Sequence, residues 1–246
     1  MRILVCIDDT DNLDSCGTGE LASLMAESLE SRGWGKAGYV TRHQLLVHPD
    51  IPYTSHNSAM AFSAAIDEER LDDFIAFASD FLTSQSAPES DPGLCVTPWP
   101  QARAGDELVR FGRQAKEQVL TKDEAYSLAR RWGIHLSEHG GTGQGVIGAL
   151  AGVGLRLGGN DGRLKGQLRF PGSNGIVRVA QLLAHPWVDV VSTASGQQLE
   201  DEEQVQLVDK VKTALIGGRS VLMVEPTPEG ELCPWQNLTR RQMKIY

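Results

Sequence analysis

No two of the four cysteines stand close together in this sequence. Cys6, Cys16, Cys95 and Cys233 form no CxxC pair, which argues against a zinc ribbon or a disulfide framework within these residues. Long basic runs are missing too, and the net charge is -9. That balance argues against a broad, sequence-independent nucleic-acid surface and leaves room for a local one. No apolar run approaches the ~20 residues that cross a bilayer, so no membrane partner is expected. The first residues enter a strand-like run without a leader pattern, and the expected location is cytoplasmic. Neither Gly-Lys-Ser/Thr of a Walker A loop nor GxSxG is present. His135 and His139 alone have HxxxH spacing, and the glycines that follow them point to a loop rather than a zinc-binding helix face. Internal repeats and low-complexity tracts are absent.

What remains is an ordinary globular composition: 246 residues, 41% hydrophobic and 22% charged, enough for one large domain or two smaller ones. The most informative stretch is residues 1–20. Ile3, Leu4, Val5, Cys6 and Ile7 form a continuous apolar run that reads as a buried strand. It stops at Asp8, Asp9, Thr10 and Asp11. Cys16, Gly17, Thr18 and Gly19 follow, and then Leu21, Leu24, Met25 and Leu29 recur at helical spacing over residues 19–32. Carboxylates crowded at a strand end repel one another and favour a cation or water beside them. A helix start next to them offers unpaired N–H groups to an anion. Together these suit a Mg-nucleotide, with Asp8, Asp9 and Asp11 as metal ligands. The plainer alternative is an acidic turn closed by Asp11 or Asn12 through its side chain. Thr18 is a helix cap, a ligand, or both.

The second informative stretch has four glycines in six residues, Gly140, Gly141, Gly143 and Gly145, interleaved with Thr142 and Gln144, just before an expected helix over residues 146–157. Such a loop lets N–H groups close on phosphates without side-chain obstruction. A merely flexible loop before a helix is the alternative. A nucleotide needs both metal and anion cradle, so the acidic tip, the Thr18 turn and this loop are expected to line one cleft.

Elsewhere the pattern gives strand-like pieces at 39–40 and 45–47, a strand at 58–66, a helix through Leu71, Phe74, Ala78 and Leu82, and a strand at 93–97. The order β-α-β-β-α-β matches a ferredoxin-like split βαβ unit. A helix over 106–119 carries Arg110, Arg113 and Lys116 on one face, which reads as solvated. Thr121 and Glu124 form a capping box for the next helix. Beyond it come an alternating strand at 163–170, strands near 176–179 and 188–191, and a strand at 220–225. An acid-rich helix is expected between the last two, with Leu199, Val205, Val208, Val211 and Leu215 inward. The best boundary lies at 171–175, giving a main module over residues 1–172 and a small C-terminal α/β piece over 173–246. The fold class is α/β (α+β).

Three segments, in order, resemble the archaeal agmatidine synthases, which modify the wobble cytidine of an isoleucine tRNA. Ile7-Asp8-Asp9-Thr10-Asp11 with Cys16 and Thr18 resembles their IDDTDS…CTT start. His48-Pro49-Asp50-Ile51-Pro52-Tyr53, with Asn57 after it, resembles NPNIPWKTRGN. The run from Gly143 to Gly154 resembles GxGLIGALAAIG. The resemblance implies a kinase-like module that uses ATP and Mg²⁺ to phosphorylate a cytosine carbonyl oxygen, after which agmatine displaces phosphate. It assigns metal to Asp8, Asp9 and Asp11 and catalysis to Asp8, Asp9 and Thr18. Thr18 is the hydroxyl left to inherit the family's phosphorylated threonine. Nucleotide contacts fall to Asn57, Gly140, Gly141, Thr142, Gly143 and Gly145. The family's basic KTR is Thr54-Ser55-His56 here, and no counterpart of its OB-fold or zinc ribbon is evident. The expectation is therefore a catalytic module that alone binds tRNA weakly, with the acceptor open and a partner chain or homo-oligomer conceivable. A non-catalytic nucleotide-binding subunit is the alternative.

Overall fold

The computed structural model describes residues 1–246 apart from 13, 52–56, 171–174, 230 and 232. The expected match through Pro52 and Tyr53, the Thr54-Ser55-His56 segment and the centre of the expected boundary therefore lie outside the described residues. The chain divides into two compact units, Met1–Gly158 and Gly159–Tyr246.

The first unit opens with β1 (Arg2–Asp8), α1 (Thr18–Ser31), β2 (Gly35–Ala37), β3 (Thr41–Gln44), β4 (Ser58–Ile66), α2 (Leu71–Gln85) and β5 (Gly93–Pro98). Strand β1 pairs antiparallel with β4 on one side and β5 on the other, and β2 and β3 both pair with β4. This is the ferredoxin-like arrangement expected from the element order. Further on come α3 (Ala102–Gln114), α4 (Lys122–Trp132), β6 (His135–Glu138) and α5 (Gly145–Gly158), with β6 antiparallel to β5. The continuous apolar run of β1 is explained by burial on both faces. Ile3, Val5 and Ile7 pack with Met25, Leu29, Phe74 and Leu82 of α1 and α2. Leu4 and Cys6 point the other way, into a core with Leu108, Ala149 and Val153 of α3 and α5. Helix α5 is buried along nearly its whole length, with Ile147 and Leu157 half-buried. Its Gly154 and Gly112 of α3 let the two helices meet backbone to backbone.

Three details differ from the sequence reading. The strand pieces expected at 39–40 and 45–47 lie instead at β2 and β3. Ala37 pairs with Ala64 and Thr41 with Ala61, so four steps on one strand face three on the other, the count of a β-bulge. The buried face of β3 is polar, Thr41 and His43 hydrogen-bonded to each other at 2.7 Å, and hydropathy cannot find it. Helix α3 begins and ends earlier than 106–119. His135, expected in a loop, starts β6, where Ser137 Oγ bridges the imidazoles of His135 and His139 at 3.0 and 2.8 Å. The capping box stands as expected, Thr121 and Glu124 each accepting the other's backbone N–H at the start of α4.

The second unit holds β7 (Arg163–Leu164), β8 (Ile176–Arg178), α6 (Val179–Leu183), β9 (Val190–Thr193), β10 (Gln204–Gln206), β11 (Thr213–Ile216), β12 (Arg219–Pro226) and β13 (Trp235–Asn237). Strand β12 pairs with β11 through its first half, β13 through its second, and β9 in parallel. The acid-rich helix expected after β9 does not form. Leu199, Val205, Val211 and Leu215 are buried, but from irregular chain, an isolated bridge and strands β10 and β11, and Val208 is exposed. The spacing suits a helix, but the β-branched valines favour the short strands that form. The expected 163–170 strand shortens to β7 and an isolated bridge between Leu168 and Val211. Because β7 pairs with β11, residues from Gly159 onward join the second unit, fourteen residues before the boundary expected after 172.

Candidate functional site

Where β1 ends, the first unit has a cavity of ≈ 400 Å³. Asp8, Asp9, Asp11 and Thr18 line it together with Thr142, Gln144, Gly145 and Gly148; Asn57 and Asp50 also line it. The acidic tip, the Thr18 turn and the glycine-rich loop are thus brought together as expected, although they lie far apart in sequence. Among the described residues that line it there is no Lys, Arg or His.

Each side chain at the tip has its own setting. Asp8 is the last residue of β1 and is 8% exposed. Burial, and then the neighbouring charge of Asp9, push its carboxyl well above the usual carboxylate range. It fits because Gly148 of α5 has no side chain: a Cβ there would collide with Asp8 Oδ2. Asp9 leaves the strand with φ 52°, a left-handed conformation that turns the chain away from β1. Burial, then the charges of Asp91 and Asp11, raise it to about 6. Asp11 accepts the Thr18 hydroxyl at 2.5 Å. The turn between them is closed by Asn12, whose Oδ1 accepts the Asp14 N–H at 3.0 Å.

Thr18 is not the helix cap. That position belongs to Gly17, whose carbonyl accepts the N–H groups of Glu20 and Leu21 at 2.8 and 3.4 Å. Among the described residues no acceptor meets the N–H of Thr18 or Gly19. This helix start has free donors, and Thr18 lines the cavity.

The glycine-rich loop differs from the expectation. Thr142 and Gly145 line the cavity, whereas Gly140, Gly141 and Gly143 do not. The loop's donors already hold an anion, the carboxylate of Asp91 from the segment before β5. Asp91 Oδ1 accepts the N–H of Thr142 and, at 3.3 Å, that of Gly143, and Oδ2 accepts the Thr142 hydroxyl at 2.7 Å. Gly145 donates to the Asp91 carbonyl at 3.0 Å, and Val146 and Ile147 donate to Gly143 and Gln144 carbonyls. The start of α5 is therefore satisfied from within, and its amides are not an open phosphate cradle. Gly143 has φ 76°, and a side chain there would strike the Glu138 carboxylate, so Gly143→Val disturbs the fold as well as the loop. Asn57 faces the cavity, but its Nδ2 donates to the Leu46 carbonyl at 2.7 Å.

Sequence reasoning missed Asp91, Gln144 and Gly148. Asp91 lies between the second helix and the strand at 93–97, where no pattern points to it. Gly148 lies inside the run that resembles the family's segment, and nothing local shows which carboxylate it admits. Among the described residues no three His, Cys, Asp or Glu side chains are arranged to hold a metal ion together. The expected three-carboxylate site is not formed by Asp8, Asp9 and Asp11 alone, since Asp11 is turned to Thr18.

No family model matches the chain. It is 34% identical over 166 residues to the 2-agmatinylcytidine synthetase TiaS of Archaeoglobus fulgidus, a match covering 64% of this chain and 36% of that protein. The crystal structure of TiaS in complex with an isoleucine tRNA and ATP superposes with a TM-score of 0.55 and 30% identity over 63% of this chain and 36% of the other. The chain is similar to the agmatidine synthases. A tRNA fluorescent labeling enzyme gives the same TM-score of 0.55 at 31% identity, again over 63% of this chain and 36% of the other. The matches thus span about a third of the length of these TiaS proteins. No helix among the described residues is long and apolar enough to cross a membrane.

Proposed function

We propose that the first unit is an ATP- and Mg²⁺-dependent phosphoryl-transfer module of the agmatidine-synthase kind. The observation that carries this reading is the cavity: the three stretches that resemble the family's motifs all contribute residues to its wall. Similarity to a protein solved with ATP and an isoleucine tRNA supports it. The free N–H groups of Thr18 and Gly19 are the donors for phosphate oxygens, in place of the glycine-rich loop, whose own donors are taken.

The donor set fits a hard divalent cation. The carboxylate oxygens of Asp8 and Asp9 would hold Mg²⁺, with phosphate oxygens and water completing the shell. The raised pKa of Asp8 fits too, because a buried acid without a counter-charge favours its proton and a cation reverses that preference. Bound there, the cation would neutralise phosphate charge. Thr18 Oγ1 donates to Asp11, so a phosphoryl group accepted at that oxygen leaves the proton on Asp11 while the bond to ADP breaks. Catalysis of this type is mostly positioning and charge neutralisation. Asn57, through its fixed side chain, helps shape the cavity wall.

Calorimetric titration of the chain with ATP, with and without Mg²⁺, followed by mass spectrometry at Thr18, tests this. Mg²⁺-dependent binding and phosphorylation at Thr18 are expected; no binding under either condition overturns the reading. Binding without turnover would instead support a nucleotide-binding subunit, which the lack of a basic residue among the described cavity residues favours. Fluorescence anisotropy with tRNA should show weak binding that falls steeply between about 50 and 200 mM salt. Tight, salt-resistant binding would contradict the charge argument.

A further inference from the structure

The glycine-rich loop is held from two sides by charged side chains that no motif pointed to. On one side is Asp91. On the other is Glu138, the last residue of β6, which accepts Lys122 Nζ at 2.9 Å and the Tyr126 hydroxyl at 2.8 Å. Lys122 also donates to the Thr142 carbonyl at 2.7 Å. Thr142 is therefore bonded through its N–H and hydroxyl to Asp91 and through its carbonyl to Lys122. Of these partners, Asp91 alone comes from the segment that leads into β5, the strand beside β1. Its carbonyl also takes the first N–H of α5, and an added Cβ at Gly145 would lie 3.1 Å from the Asp8 carbonyl. One residue thus ties the loop to the start of α5, which packs against the end of β1.

We propose that Asp91 is a positioning residue for the nucleotide cavity, acting through Thr142 to hold the loop as its wall. The assignment rests on the nucleotide reading above. The geometry requires an acceptor at the two carboxylate oxygen positions more than it requires charge. Two N–H groups and a hydroxyl meet those oxygens, and Lys122 is engaged by Glu138. An asparagine can keep this pattern. Its Oδ1 accepts both N–H groups, and its Nδ2 donates to the Thr142 hydroxyl, which can accept as well as donate. A glutamate keeps the charge but sets the carboxylate one methylene too far, where it cannot meet all three donors.

The test compares Asp91→Asn, Asp91→Glu and Asp91→Ala in the full chain. Mg-ATP affinity is measured by calorimetry, and hydrogen exchange is followed at the Thr142 and Gly143 amides without nucleotide. Positioning predicts that Asp91→Ala and Asp91→Glu lose exchange protection in the loop and weaken Mg-ATP binding by about tenfold or more. Asp91→Asn should keep loop protection close to wild type and bind Mg-ATP better than Asp91→Glu does; the charge it removes near Asp9 changes affinity less than loss of loop order does. Should Asp91→Ala fail to fold, the Asn and Glu pair still separates shape from charge. The assignment is overturned if Asp91→Asn weakens binding as much as Asp91→Glu does, because keeping the acceptor pattern would then protect nothing. It is overturned equally if loop protection is lost with unchanged affinity. Wild type that binds no Mg-ATP would overturn the nucleotide reading itself, and this assignment with it.

Discussion

Asp8→Asn should make the free protein more stable and its Mg-dependent nucleotide binding much weaker. The two effects have one cause. Asp8 is buried at the end of β1 beside Asp9, with its carboxyl well above the ordinary range. The folded protein holds that proton at pH values where the unfolded chain has released it. Raising the pH above about 4 therefore costs stability, and the cost grows until the folded carboxyl ionises too. Asp9 adds to the loss up to about pH 6. An asparagine has the same shape and nothing to ionise. At neutral pH it should raise Tm by about 2–4 °C, the shift that ~1 kcal/mol produces in a chain of this size. It should also flatten the decline in Tm between about pH 4 and 7. With Mg-ATP the order reverses, because wild type gains binding energy that the variant lacks. Thermal melts across pH, with and without Mg-ATP, read both effects. A variant less stable than wild type at neutral pH without ligand would contradict the burial argument.

Gly148→Val should remove nucleotide binding and destabilise the fold together. Helix α5 crosses the end of β1 so closely that a Cβ at residue 148 would take the place of Asp8 Oδ2 and press on Leu45. Overpacking of this kind costs about 1–3 kcal/mol, and here it also drives a carboxylate out of the cavity. The cause is specific to one pair, so a double-mutant cycle isolates it. In an Asp8→Ala background the vacated space admits a methyl group, and Gly148→Ala should then cost far less than it does with Asp8 present. Chemical denaturation of the four proteins gives the coupling. Additive costs would mean that Gly148 is needed for another reason, such as the approach of Leu45.

The first unit was more legible in the sequence than the second. Strand β1 could be read because both its faces are buried, and α1, β4, α2, β5 and α5 because their patterns agree with their neighbours. The β2–β3 region could not, since a bulge breaks its alternation and Thr41 and His43 pair in the core. In the second unit, valines at helix-compatible spacing concealed short strands whose partners are distant in sequence. At the site, the acidic tip and the loop were visible as local clusters. The carboxylate that fills the loop was not, because Asp91 acts through contacts 51 and 52 residues away in sequence. A glycine-rich loop before a helix says that donors are available. It cannot say whether a ligand or the protein's own side chain takes them.

The most direct measurement is mapping of backbone amide NMR shifts in the full chain on addition of Mg²⁺ with a non-hydrolysable ATP analogue. The account predicts changes at Asp8, Asp9 and Asp11, the largest at Thr18 and Gly19, and changes at Thr142, Gln144, Gly145 and Gly148. The β12 core of the second unit should stay unmoved. Shifts confined to another surface, or shifts at the glycine-rich loop with none at Thr18 and Gly19, would contradict it.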